Sequence, residues 1–390
     1  MVKKEGLLLA VQRFLLHKLY LPFIYNVSRL AGRDMSKVVF VSESRTELEP
    51  SLALLRDEIQ KRGYRTAEYT DCKKSAGRRI KAYTAFTRDY ARCGAVVLED
   101  YFLPAYSNRP RRGTQLIQLW HACGAFKRWG WASVKTGWGM DEKTARRYHM
   151  HRGYTAAVVS AEAVRDQYAE AFNCGRDVVK AHGVPRTDVF WDEEYKAAAA
   201  RKFFDRYPLL RSRIIVLYAP TFRGERADAA KSGDALDYGL LKKRLGMDYA
   251  VVTKLHPFAT DNAPIPDDCR DFAFDVSGFM DINEMLTIAD IVVTDYSSLI
   301  FEYALMKRPM IFYAYDLGDY ESERSFFFGY EGFVPGPVAR TGEELAEMLL
   351  SARGNPDAAR TAAAFAERYM SACDGASTKR VADEFFPPLQ

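Results

Sequence analysis

The chain is 390 residues long, 48% of them hydrophobic and 27% charged, a balance that excludes a disordered or low-complexity protein and allows two or three domains. Its six cysteines include no Cys-x-x-Cys pair, which excludes a disulfide scaffold and argues against a structural zinc site. The net charge is only +5, yet residues 1–180 hold 32 Lys and Arg against 18 Asp and Glu, whereas residues 181–390 hold 24 against 33. A basic first half suits a polyanionic partner: anionic lipid, nucleic acid or a phosphate-rich polymer.

In chain order, residues 7–30 (LLLAVQRFLLHKLYLPFIYNVSRL) are apolar but interrupted by Gln12, Arg13, His17, Lys18 and Pro22. A membrane-spanning helix needs about 20 mostly apolar residues, so a span is disfavoured. No small-residue cleavage site follows to support a signal peptide. Residues 1–35 are read as a basic, aromatic-rich helical segment that lies in the membrane interface or packs on the core. From Ser36 onward, strand-like and helix-like segments alternate. KVVFVSES (37–44) is β-branched, and residues 48–62 read as a helix closed by Gly63. AVVLED (95–100), QLIQLWHA (115–122) and AAVVSA (156–161) are apolar runs of strand length, and 161–173 is helical. RIIVLYAP (213–220), YAVVTKLHP (249–257), IADIVVTDY (288–296) and RPMIFYA (308–314) continue the series. Short apolar strands separated by helices imply parallel sheets covered on both faces. The expected class is α/β: two Rossmann-like doubly wound lobes, 36–182 and 183–390, facing a central cleft. HGVPRTDVF (182–190), punctuated by Gly183 and Pro185, is the expected hinge.

The strongest chemical signal lies in IADIVVTDYSSLIFEYALMKRPMIFY (288–313). Asp295-Tyr296-Ser297-Ser298 forms the turn after a buried strand, and the next residues open a helix. Ser297 and Ser298 then stand at a helix N-terminus, where free N–H groups and two hydroxyls suit phosphate oxygens. Glu302, one helical turn on, is placed to accept from ribose hydroxyls, with an ordinary solvated Glu as the alternative. His121 and His256 each end an apolar strand, one per lobe, and histidine suits general acid–base work near neutrality. Lys254 lies two residues before His256. Thr221 and Arg223 follow a strand in YAPTFRG (218–224), and Arg324 lies in DYESERSFFFGYEGFVPGP (319–337); both arginines are candidate phosphate clamps. No Cys or carboxylate stands at ligand spacing to the histidines and no carboxylate cluster is evident, so no cofactor and no obligatory metal are expected. No nucleic-acid fold signature is present, so no nucleic-acid partner is expected.

WHACGAFKRWG (120–130), GVPRTD (183–188), YAPTFR (218–223), KLHP (254–257), DINEMLTIADIVVTDYSSLIFEYALMKRPMIFYAYDL (281–317) and SFFFGYEGFVPGP (325–337) occur in this order. Together they resemble the CDP-glycerol glycerophosphotransferase family, the teichoic-acid primases and polymerases. The resemblance covers roughly residues 95–340. It implies a GT-B-like fold with an acceptor-binding first lobe and a CDP-polyol-binding second lobe. The implied reaction moves glycerol phosphate from CDP-glycerol to a hydroxyl of a polyprenyl-diphosphate-linked acceptor, releasing CMP, at the cytoplasmic face of the membrane. His121 and His256 match the family's functional histidines, and Ser297 and Ser298 match its pyrophosphate-binding serines. Thr221, Arg223, Lys254, Asp295, Glu302 and Arg324 fall on the donor side, and Gly124, Lys127 and Arg128 on the acceptor side. The motif Trp120-His121-Ala122-Cys123-Gly124-Ala125-Phe126-Lys127 departs from the polymerase pattern WHG-T-P-L-K and points to the primase branch. CDP-ribitol users share these motifs, so the polyol stays open, as does the more distant alternative of a sugar-nucleotide glycosyltransferase. In the basic half, Arg78-Arg79, Arg109 with Arg111-Arg112, and Arg146-Arg147 are expected to meet the acceptor and an anionic surface.

Overall fold

The structure is a computed structural model that describes residues 6–73, 75–134, 136, 139–223, 235–255, 264–323 and 325–389. Two units emerge: residues 1–188 together with 371–390, and residues 189–370.

The first unit is built on six parallel strands: β1 (Asp34–Ser42), β2 (Arg65–Thr70), β3 (Cys93–Leu98), β4 (Gln115–Gln118), β5 (Ala156–Val158) and β6 (Val179–Lys180). Their order is β2-β1-β3-β4-β5-β6. In register, Val39 pairs with Ala67 on one side and with Val96 on the other. Alternate strand residues Val38, Phe40, Ala95, Val97, Ile117 and Val158 share one buried cluster with Leu52, Leu55 and Ile59 of the helix Pro50–Lys61. Val381 and Phe386 complete this cluster, so the helix Ser377–Phe385 is a core element of the first unit. Gly183 shows why the chain needs a glycine where the returning segment arrives: φ is +83°, and a Cβ would lie 2.1 Å from the Ala372 carbonyl oxygen.

The second unit repeats the design with β7 (Ile214–Tyr218), β8 (Tyr249–Thr253), β9 (Ala273–Asp275), β10 (Ile291–Thr294), β11 (Met310–Tyr313) and β12 (Val338–Ala339). All are parallel, in the order β12-β11-β10-β7-β8-β9. Val216, Val251, Val293 and Ile311 pack from one face of this sheet against Leu241, Leu245, Leu345 and Leu349.

Both units are therefore doubly wound and Rossmann-like, as expected for a GT-B-like chain. The expected boundary at 182/183 lies instead after Asp188, and residues 371–390 leave the second unit for the first. The physical reason is the apolar face of the helix Ser377–Phe385, which is buried on the first sheet.

Ahead of β1 runs one continuous helix, Leu7–Ser28, with a π-helical turn at Leu15–Tyr20. By length and composition it is long and apolar enough to cross a membrane. One side is committed to the first unit. His17, Leu21 and Tyr25 are buried, His17 Nδ1 is 3.0 Å from Ser107 Oγ, and the Tyr25 hydroxyl donates to the Arg109 carbonyl. Its other side leaves Leu7, Leu8, Leu19 and Phe23 more than half exposed.

Candidate active site

In an open parallel sheet, ligands gather at the carboxyl ends of the strands where the winding direction reverses. In the first unit this point lies between β1 and β3. The residues that follow those strands there are Glu43, after β1, and Glu99 and Asp100, after β3. His121 arrives beside them from the loop after β4: Asp100 Oδ1 lies 2.7 Å from His121 Nδ1, and both side chains are about half exposed. Strand β4 stops at Gln118 because Trp120 turns left-handed, with φ at +57°. The Gln118 side-chain oxygen holds that turn by accepting from the Trp120 N–H, and the Trp120 ring stacks on Trp129. His121 is thus aimed by a strained, packed turn and oriented by a carboxylate. Burial tends to push the Asp100 carboxyl up, but the His121 hydrogen bond and charge, with help from Arg45 and Lys73, hold it below its usual value.

Two further groups brace this corner. Arg186, of the segment GVPRTD, is buried; it donates to Cys123 Sγ and stands 4.0 Å from Glu99. Burial pushes the Glu99 carboxyl up to about 8 despite that arginine. Of the expected acceptor-side residues, Gly124 (φ +63°) donates its N–H to Ser160, Arg128 pairs with Glu170, and Lys127 is half-buried in the same loop.

In the second unit the winding reverses between β7 and β10. Asp295, buried after β10, ties the two loops together. Its Oδ1 accepts from the backbone N–H groups of Thr221 and Tyr296, and its Oδ2 accepts from Arg223. Arg223, expected as a phosphate clamp, has its fork turned inward. Nε and Nη2 donate to Asp316, Nη1 donates to Asp295 and the Thr221 carbonyl, and the plane lies over Tyr296, Tyr315 and Tyr320. A guanidinium so engaged acts on the site by fixing its loops. Thr221 is buried, with no hydrogen-bond partner for its hydroxyl among the described residues. Ser297 and Ser298 are half-buried at the start of the helix Leu299–Ala304, and Ser297 Oγ accepts from the Leu299 N–H. Glu302, expected to face ribose or solvent, is only 6% exposed on the inward side of that helix. Lys254 donates to the Ser277 carbonyl, and burial lowers its pKa. His256 and Arg324 lie outside the described residues.

The structure thus brings Asp295, Thr221 and Arg223 into one knot, with Ser297 and Ser298 continuing the same turn. It adds Asp316, and in the first unit Asp100, which sequence reasoning missed. Asp100 carried one signal, an acidic pair closing the apolar run AVVLED. Asp316 carried none, because its partner Arg223 is 93 residues away.

Comparison with known proteins gives four findings. Residues 23–387 match the family described as CDP-Glycerol:Poly(glycerophosphate) glycerophosphotransferase. The teichoic acid poly(ribitol-phosphate) polymerase of Bacillus spizizenii is 35% identical over 375 residues, which is 94% of this chain and 59% of that protein. The teichoic acid ribitol-phosphate primase of the same organism is 38% identical over 296 residues, 75% of each chain. Among solved structures, the wall teichoic acid polymerase TagF matches with a TM-score of 0.74 at 22% identity, over 97% of this chain and 95% of that one, a likeness of fold.

Proposed function

The chain belongs to the CDP-glycerol:poly(glycerophosphate) glycerophosphotransferase family, and we propose that it transfers a polyol phosphate from a CDP-polyol to a hydroxyl of a lipid-linked acceptor, releasing CMP. The observation that carries this reading is the Asp100–His121 pair at the strand ends of the first unit. With Nδ1 held by a carboxylate, Nε2 is the nitrogen turned over to substrate. In the proposed step the acceptor hydroxyl gives its proton to His121 Nε2. Its oxygen attacks the phosphorus that bears the polyol, and the bond from that phosphorus to the CMP phosphate oxygen breaks. CMP departs as a phosphate, so positioning and charge stabilisation outweigh protonation of the leaving group. The Thr221, Ser297 and Ser298 hydroxyls are the donors suited to the diphosphate, and Asp295 with Arg223 holds their loops. His256, on its motif, joins them on the donor side.

The donor we favour is CDP-ribitol, because the two relatives named above are ribitol-phosphate enzymes at 35% and 38% identity. The family description favours CDP-glycerol as the second reading. The acceptor is read as polyprenyl-diphosphate-linked, met at the cytoplasmic membrane surface that the exposed apolar face of the helix Leu7–Ser28 suits.

The test is incubation of the full chain with CDP-ribitol, CDP-glycerol or a UDP-sugar and lipid-linked acceptors of defined length, reading CMP and product size. CMP release with a CDP-polyol, lost in His121→Ala, is expected; one added unit identifies a primase and a ladder a polymerase. Near-normal turnover by His121→Ala would remove the general base from this scheme, and turnover with a UDP-sugar alone would replace the reaction.

A further inference from the structure

Between the helix Leu7–Ser28 and the helix Ala76–Tyr90, within the first unit, lies a cavity of about 820 Å³, a size suited to small-molecule sites. Leu9, Leu15, Leu16, Ile80 and Leu103 give it an apolar lining. Set into that lining are Arg13, Arg79 and Lys73, one carboxylate, Glu43, and Tyr101. The Tyr101 hydroxyl is buried and has no hydrogen-bond partner among the described residues. Lys73 pairs with Glu43, which also accepts from the Tyr83 hydroxyl. Arg13 and Arg79, with Lys18, add to burial in holding the His17 imidazole down at about 4, a sign of positive potential along this wall. The wall also adjoins the catalytic pair. Tyr101 directly follows Asp100, and the Lys73 charge is felt by the Asp100 carboxyl.

An apolar slot lined with three cations against one carboxylate, and with a spare phenol O–H, carries a net positive charge and complements a chain with an apolar tail and a compact, multiply charged anionic head. We propose that this cavity is the seat of the acceptor's isoprenoid diphosphate, its tail lying against the leucines and Ile80 and its diphosphate taken by Arg79, Arg13, Lys73 and the Tyr101 hydroxyl. The exposed apolar face of the same N-terminal helix lets the tail stay continuous with a lipid surface, while the head sits beside Asp100 and His121. The inference rests on the polyol-phosphate transfer above for the identity of the lipid, and on the cavity alone for the residues that hold it.

The experiment measures binding without turnover, using the full chain and a fluorescent farnesyl diphosphate. Farnesol, inorganic diphosphate and an anionic diacyl phospholipid serve as competitors. Saturable binding is expected, displaced by unlabelled farnesyl diphosphate far better than by any of the three. Arg79→Ala removes an exposed head-group cation, and Ile80→Glu places a carboxylate in the lining; each is expected to weaken binding about tenfold or more. Arg79→Lys is expected to keep most of the affinity, and the thermal midpoint is expected to be unchanged throughout. Absence of saturable binding, displacement by inorganic diphosphate or diacyl phospholipid as good as by farnesyl diphosphate, or variants that bind like the parent would each overturn the proposal. Binding that depends on Arg79 in a chain that releases no CMP from any CDP-polyol would sink the transfer reading and leave this site standing. CMP release with farnesyl-diphosphate binding indifferent to Arg79 and Ile80 would do the reverse.

Discussion

Asp100 accepts from Nδ1 of His121, and in the transfer we propose a carboxylate in that place would fix which imidazole nitrogen faces the substrate and steady the imidazolium that forms when it takes a proton. Asp100→Asn keeps the shape and removes the charge, so kcat is expected to fall about ten- to a hundredfold, while KM for the CDP-polyol stays unchanged. An equal rise in that KM would instead assign Asp100 to donor binding. The residue scale also shows where sequence reasoning reaches and where it stops. The position of His121 at a strand end was legible because a histidine ended an apolar run before a glycine-containing loop. The place of Arg223 after a strand was legible but its partners were not, because what engages a guanidinium is three-dimensional: Asp316, Asp295 and three tyrosine rings. The burial of Glu302 was not legible for the same reason, since helical spacing gives a position along an axis and only packing decides which face is buried.

Among the elements, eight strands were visible in the sequence as apolar runs, and they are the eight interior strands of the two sheets. The four that were not visible, β2, β6, β9 and β12, are the four edges. Interior parallel strands are covered on both faces and read as continuous apolar runs, whereas edges are short or polar, as in Arg65–Thr70 with no fully buried residue. The N-terminal helix divides along its length: His17, Leu21 and Tyr25 inward, Leu8, Leu19 and Phe23 outward. Its inward contacts with Ser107 and Arg109 hold it against the first unit. Leu8→Glu combined with Phe23→Glu, both outside the cavity lining, is expected to cut co-sedimentation with anionic vesicles about tenfold or more, since each buried apolar side chain contributes about 1.5–3 kcal/mol. The thermal midpoint should not move; unchanged sedimentation would mean that the exposed face does not touch lipid.

At the scale of the whole molecule, pH couples to stability through the first unit. His17 and His149 are lowered to about 4 and His151 to about 3, in each case chiefly by burial, with Arg13, Arg79 and Lys18 adding to His17 and Arg152, Lys18 and Arg109 to His149. These imidazoles are neutral when folded. The unfolded chain binds more protons between about 4 and the model-peptide histidine value of about 6.5, so stability is lost as pH falls through that window. Glu99 works in the opposite direction. Its folded value of about 8 exceeds the ordinary carboxyl value, so its contribution is lost as pH rises from the ordinary carboxyl value through 8. The midpoint of the first unit's thermal unfolding is therefore expected to peak near pH 6.5 and to drop by several degrees by pH 4.5. Glu99→Gln should flatten the alkaline side and steepen the acid side, where Glu99 offsets the histidines; an unaltered alkaline side would show that Glu99 is ionised in the fold. By itself the sequence determined the class of fold, the two sheets, the family motifs, the helical N-terminus and the basic first half, because these are written in local periodicity and composition. Only the tertiary structure decided that residues 371–390 return to the first unit, that Asp100 holds His121, that Arg223 is spent on two aspartates, and that the N-terminal helix roofs a cationic apolar cavity. Each of those depends on groups that are distant along the chain and meet only once the sheets have formed, and local patterns carry no record of such meetings.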